Sequence, residues 1–281
     1  MAKTYTPKLS PRLEGIVSLV PPCGSVADIG CDHGYVSIAL LQRGISKRAV
    51  ACDIKEGPLE HARKNIGKAG LSDTIDVRCA PGLSSVSGAE AEVIVIAGMG
   101  QRTIAGILDD NPEIAGNAEY LVLQPQSEIP EMREYLEENG YTVLKNRLMR
   151  EGEKYYFAIL ASAKHSTAPG EENFVVKKLR EKKDVPELER YSKTLDTLFG
   201  LDLIYTDKEM AYYLSHVIGE WEGALKKLSE AKKPDFEKIK MLELKKESAQ
   251  TALEMNTLFC GIDEKLRSMF DREFIKRSEE E

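Results

Sequence analysis

Up to about residue 162 the chain alternates short apolar runs with stretches whose apolar positions recur three or four residues apart, and this alternation predicts strands followed by helices. Ser10-Pro11-Arg12-Leu13-Glu14 opens a capped helix with Leu13, Ile16, Val17 and Val20 on one face, and Pro21-Pro22 stops it. An apolar strand over 26–29 runs into the turn Gly30-Cys31-Asp32-His33-Gly34, after which Val36 to Leu41 have helical spacing. A strand over 49–53 ends in Asp53, and the helix that follows Gly57-Pro58 runs through Ala69 to a stop at Gly70. Further strands are predicted over 75–79, 92–97 and 121–123, ending in Ala80-Pro81-Gly82, Gly98-Met99-Gly100 and Gln124-Pro125-Gln126. A helix over 130–139 and two β-rich runs, 141–148 and 155–160, close the series, with a polar turn at Glu151-Gly152-Glu153 between the runs. The expected fold is α/β: a Rossmann-like, seven-stranded, mostly parallel sheet.

Between 162 and 171 the composition turns to Ser, Thr, Ala, Pro and Gly, which marks a linker between a domain over 1–163 and one over 164–281. The second domain reads as charged helices over 172–183, 186–199, 207–232 and 235–276. Ile239, Leu242, Leu253 and Leu258 form an imperfect heptad-like seam, so a small α-helical domain with an antiparallel coiled-coil pair is expected. Trp221, Tyr212 and Tyr213 read as helix core. The cluster Lys177, Lys178, Arg180, Lys182 and Lys183 reads as a solvated face, with RNA contact as the sharper alternative.

The 281 residues carry a net charge of −7, so an RNA partner needs a local basic face to overcome the overall repulsion. No apolar run reaches membrane-spanning length and Met1 to Tyr5 lack a secretion-type apolar segment, which points to the cytoplasm and no membrane. Five cysteines without a C-x-x-C pair read as reduced thiols, and their spacing suggests no metal site.

Chemistry enters at the first glycine turn. A dinucleotide fingerprint would have three glycines here, whereas only Gly30 and Gly34 are present, and a pyrophosphate would meet the extra carboxylate of Asp32. The better fit is the methionine end of S-adenosylmethionine, with Asp28 or Asp32 toward its ammonium and the new helix end toward its carboxylate. Asp53 is placed to take the ribose hydroxyls and Ala80-Pro81-Gly82 to lie beside the adenine. The blander alternatives are an ordinary strand-turn-helix corner and, for Asp53, a helix cap or surface acid.

Taken together, the residues 27–35, Ala97-Gly98-Met99-Gly100 and Leu123-Gln124-Pro125-Gln126 resemble the bacterial TrmK family, tRNA methyltransferases acting at N1 of adenine 22. The resemblance covers about 8–162, and the helical tail matches in character. It departs from the family pattern at Gly34, Gln101 and Gln126. It implies a class I S-adenosylmethionine-dependent enzyme with a C-terminal coiled-coil domain that helps hold tRNA. The implied cofactor contacts are Asp28, Gly30, Asp32, His33 and Gly34 in the first turn, Asp53 and Ile54 after the second strand, Ala80, Pro81 and Gly82, and Ala97, Gly98, Met99 and Gly100. Gln124, Pro125 and Gln126 are the implied substrate contacts. Asp32 is the candidate catalytic group, stabilising charge that develops on the methylated adenine; its alternative role is to bind the cofactor ammonium, and His33 orders the loop. The other functions in view are methylation of another RNA position or a small molecule, and a scaffold that binds cofactor or RNA without turnover.

Overall fold

In the computed structural model, which describes residues 5–162, 188–231 and 233–259, seven strands form one sheet. They are β1 (Cys23–Ile29), β2 (Ser46–Asp53), β3 (Ile75–Cys79), β4 (Val93–Met99), β5 (Tyr120–Pro125), β6 (Thr142–Glu151) and β7 (Lys154–Ser162). Their spatial order is β3-β2-β1-β4-β5-β7-β6, with parallel pairing from β3 to β5 and antiparallel pairing of β7 with both neighbours. β4 sits near the centre, and Val93, Ile94, Val95 and Ile96 are all 0% exposed, as a strand covered on both faces requires.

The helices of this unit are α1 (Pro11–Val17), α2 (Tyr35–Gln42), α3 (Glu56–Lys68), α4 (Gln101–Asp109), α5 (Pro112–Asn117) and α6 (Ile129–Glu138). The Ser10 hydroxyl accepts the Leu13 N–H, so α1 starts where its cap predicts. β1 begins three residues before the apolar run because Cys23 is already in register with Ser46. α4 and α5 were not expected. α4 starts at Gly100 with no capping side chain, so its start signal is missing although Ile104 and Leu108 are buried; α5 starts at Asn111-Pro112, a cap residue with proline just inside, but the Asn111 side chain makes no cap hydrogen bond and the helix has only six residues.

The chain divides into two units, Met1–Glu171 and Glu172–Glu281. The expected boundary at 163/164, the linker from 163 onward, the helix over 172–183 with its basic cluster, and residues 260–276 of the last helix lie outside the described residues. In the second unit lie α7 (Leu188–Phe199), α8 (Leu201–Thr206), α9 (Glu209–Ser229) and α10 (Phe236–Phe259). α8 was also unexpected; Gly200, with φ +78°, ends α7 and restarts the helix in a new direction. α9 and α10 form a hairpin bridged by Lys246 Nζ and Glu222 Oε1 at 3.7 Å.

Two expectations for this unit are corrected. The buried face of α10 is Ser248, Ala249, Ala252 and Asn256, while Leu253 is only half-buried and Ile239 and Leu242 likewise. Small residues allow a close approach, and the Asn256 amide donates to the carbonyls of Ile204 (2.7 Å) and Asp207 (3.0 Å), which α8 leaves open at its end. Tyr212 is 62% exposed rather than core. Among the described residues no helix is long and apolar enough to cross a membrane.

Candidate active site

β1 lies between β2 and β4, all three parallel, so the chain leaves β1 and β4 toward opposite sides and opens a crevice at their carboxyl ends. The loop from β1 lines one side. Gly30, Asp32 and Gly34 have φ of +74°, +51° and +70°, a winding that glycine allows at two positions and Asp32 adopts under strain. The N–H groups of Gly30 and Cys31 both donate to the Cys52 carbonyl, at 2.8 and 2.9 Å, which ties this turn to the end of β2.

Asp28 is 4% exposed, and its Oδ2 accepts both the Ser37 N–H (3.2 Å) and the Ser37 hydroxyl (2.6 Å). It thus caps the first turn of α2, which has Gly34 in the cap position and no side-chain cap there. Burial pushes the Asp28 carboxyl up to about 6; the two Ser37 hydrogen bonds oppose the rise and the nearby Asp53 charge adds to it.

Asp53 joins three segments. Its Oδ2 accepts the Asp32 N–H (3.3 Å), Oδ1 the Lys55 N–H (3.0 Å), and its carbonyl the Ala80 N–H (3.0 Å). Each carboxylate oxygen keeps a lone pair for a further donor. Next to it Ile54 is 66% exposed, an apolar side chain left in solvent beside the Ala80-Pro81-Gly82 turn. Gly82, at φ +54°, packs on Ile107, and a Cβ there would come within 3.2 Å of the Ile107 side chain.

His33 is braced rather than free. Its ring stacks on Tyr35 (5.4 Å between centroids), meets His61 edge-on (5.3 Å), and its carbonyl accepts the Asn65 amide at 3.1 Å. The Asp32 carboxylate lies 3.6 Å from His33 Nε2, with its side chain 65% exposed.

The second glycine turn forms the opposite side. Gly98, at φ +79°, is a bulge between the pairs Ala97–Gln124 and Met99–Pro125. Met99 reaches back across the crevice, so that a Cβ on Gly30 would overlap its methyl group. Gln124 is 0% exposed. Its Oε1 accepts the Gly98 N–H (3.2 Å) and Arg12 Nη1–H (2.9 Å), and its Nε2 donates to the Pro125 carbonyl (2.8 Å). Of the three expected substrate contacts, Gln124 and Pro125 are buried and only Gln126 is exposed, its N–H donating to the Met99 carbonyl at 2.8 Å. With its amide consumed inside the sheet, Gln124 acts on the turn rather than on a ligand.

Sequence reasoning missed Arg12 and Tyr156. Arg12 reaches from α1 to Gln124 and lies 5.7 Å from the Tyr156 ring centroid. Nothing in the pattern of α1 separates this arginine from an ordinary surface one. Among the described residues no group of three or more His, Cys, Asp or Glu is placed to hold a metal.

A nucleoside with a cationic amino-acid tail fits these parts. Asp53 keeps acceptor capacity, Ile54 beside it is an exposed apolar side chain, and the Gly30 backbone packs closely against Met99. Comparison with known proteins points the same way. Residues 9–159 match the family model described as a methyltransferase domain. A tRNA (adenine(22)-N(1))-methyltransferase of Bacillus subtilis is 34% identical over 156 residues, 56% of this chain and 66% of that one. The chain therefore spans just under two thirds of that curated relative's length. The crystal structure of the B. subtilis m1A22 tRNA methyltransferase TrmK matches with a TM-score of 0.70 at 25% identity, covering 88% of this chain and 99% of that chain. Streptococcus pneumoniae Sp1610 in complex with S-adenosyl-L-methionine matches with a TM-score of 0.65 at 28% identity, covering 88% of this chain and 100% of that one.

Proposed function

This chain belongs to the methyltransferase-domain family, and on that premise we propose that it is a member of the TrmK family and transfers the methyl group of S-adenosylmethionine to N1 of an adenine in tRNA, at position 22. The observation that carries this reading is the meeting of two glycine turns at the sheet's switch point, with Met99 packed against Gly30 and Asp53 and Ile54 beside them.

When bound, the cofactor supplies a methyl carbon made electrophilic by its sulfonium. The protein's own part is alignment. Asp53 holds the ribose hydroxyls, Ile54 and the Ala80–Gly82 turn flank the adenine, and the Gly30–Gly34 turn takes the methionine end. The backbone of Ala97 to Gly100 walls the side on which N1 must approach, and Gln126 offers an exposed amide there. An adenine methylated at N1 becomes cationic and its N6 protons acidic, so the Asp32 carboxylate stabilises charge that exists only late in the transfer. Duplex pairing hides N1, so the target base must be unpaired or drawn out of its stack. The helical unit, with the α9–α10 hairpin as its coiled-coil arm, holds the tRNA, and such a substrate places the reaction in the cytoplasm.

Asp28 makes cofactor binding proton-linked. A cationic ligand in the crevice favours the ionised carboxylate, and burial holds the ligand-free carboxyl at about 6. Below that pH a proton must leave before the charges can attract, so affinity strengthens as pH rises and levels off above it. Titration calorimetry should find binding about tenfold tighter at pH 7 than at pH 5, with proton release at the lower pH, and Asp28→Asn should flatten the profile. A flat wild-type profile would remove Asp28 from the ammonium's surroundings.

The function itself is tested with labelled S-adenosylmethionine and two unmodified tRNA transcripts that differ only in adenine or guanine at position 22. Label on the adenine transcript alone is expected. Label on both would keep the methyltransferase and discard the position, and label on neither would discard the tRNA.

A further inference from the structure

We propose that Arg12 is the anion-binding residue on the substrate side of the crevice, holding a phosphate of the RNA strand beside the nucleotide that receives the methyl group. The inference rests on the tRNA reading above and adds a contact to it.

The guanidinium is fixed on two sides. Nη1 donates to the buried Gln124 Oε1 at 2.9 Å, and the group lies over the Tyr156 ring at 5.7 Å. It also converges with a second donor. A Cβ built on Gly98 would be 3.5 Å from Arg12 Nη1 and 3.7 Å from Gln126 Nε2, so a cation and an amide stand together over the Gly98 turn at the carboxyl end of β4. Two neighbouring donors, one of them a cation, suit an oxygen-rich anion.

The charge balance favours the same conclusion. The chain has 46 acidic against 39 basic side chains, and its other arginines commonly take carboxylates: Arg43 pairs with Glu14, Arg78 with Asp76 and Glu90, Arg102 with Glu128. Among the described residues Arg12 pairs with none, and its single hydrogen bond goes to a neutral amide. A half-buried guanidinium with only a neutral acceptor and a ring face keeps most of its planar fork free, the geometry that grips phosphate. The cofactor's carboxylate is the less apt anion, because β4 lies between β1, whose loop takes the methionine end, and β5, which carries Gln124.

The test uses the full chain and an unmodified tRNA transcript, with tRNA and S-adenosylmethionine affinities measured separately at several salt concentrations. Arg12→Met should weaken tRNA binding roughly tenfold at low salt and lower the slope of log affinity against log salt by about 0.7 to 0.9, the value of one phosphate contact, with cofactor affinity unchanged. Arg12→Lys keeps the charge and should keep the slope. Gln124→Met, which releases the Gly98 turn but leaves the cation, should also keep it; this separates a lost charge from a misplaced loop. A wild-type slope in Arg12→Met, or a parallel loss of cofactor affinity in that variant, would overturn the assignment of Arg12 alone. A wild-type chain that neither binds nor methylates tRNA would overturn the parent reading and this inference together.

Discussion

Gly30→Val is expected to reduce cofactor affinity at least a hundredfold while the sheet still folds. Two effects coincide at this position. The backbone sits at φ +74°, where a β-branched residue is strained, and the new side chain would occupy the space of the Met99 methyl. The backbone term is about 1–2 kcal/mol, which a domain of this size survives. Met99 is flexible and can swing away, but the space open to it is the crevice in which the cofactor must lie. Gly44 provides the control: it has a similar φ of +69°, and a Cβ added there would meet nothing within 4 Å. Gly44→Val should therefore lower the unfolding midpoint by a comparable amount and leave titration calorimetry with S-adenosylmethionine unchanged. Equal cofactor affinity in wild type and Gly30→Val would mean that the Gly30–Met99 contact is not the floor of the site.

The parts of this site legible in the sequence are those written locally. A strand, an acid and a glycine turn stand within ten residues of one another at Asp28 to Gly34, and Asp53 follows a second apolar strand in the same manner. Gly98-Met99-Gly100 was legible for the same reason, since a run of Val and Ile that ends in glycines needs no distant partner to be noticed. The parts that escaped depend on distant partners or on a missing local signal. Gln124 turns inward because Arg12, 112 residues earlier, and the Gly98 bulge claim its oxygen. α4 and α8 start at Gly100 and Gly200, which give no capping side chain to read. On α10 the largest apolar residues suggested a seam, whereas the closest packing is made by Ala249 and Ala252, and by Asn256, which answers carbonyls at the end of α8. Periodicity identifies a helix well; which of its faces is buried is decided by what packs on it.

Asp32→Asn is expected to cut turnover about a hundredfold or more while cofactor affinity changes less than roughly threefold. Asp32 is the one residue of the first turn that holds a positive φ without being glycine, and its side chain is 65% exposed. An aspartate held at φ +51° costs on the order of 1 kcal/mol against glycine, a cost offset by the Asp32 N–H to Asp53 contact at 3.3 Å. Asparagine adopts this conformation as readily and has nearly the same shape, so the substitution removes the charge and leaves the loop. Binding an ammonium needs a negative charge in the ground state, and losing it would weaken cofactor affinity while leaving the rate at saturating cofactor nearly unchanged. Stabilising the adenine cation needs the charge only as the methyl moves, so its loss falls on turnover alone. Asp28 argues for the second assignment: it is buried in the same turn, its carboxyl is raised to about 6, and a cationic ligand would restore its charge. With one carboxylate already placed to answer the cofactor, the exposed one is left for the base. Single-turnover rates at saturating cofactor, beside the separately measured cofactor affinity, decide the matter, and a loss of affinity with the saturated rate kept would return Asp32 to ammonium binding.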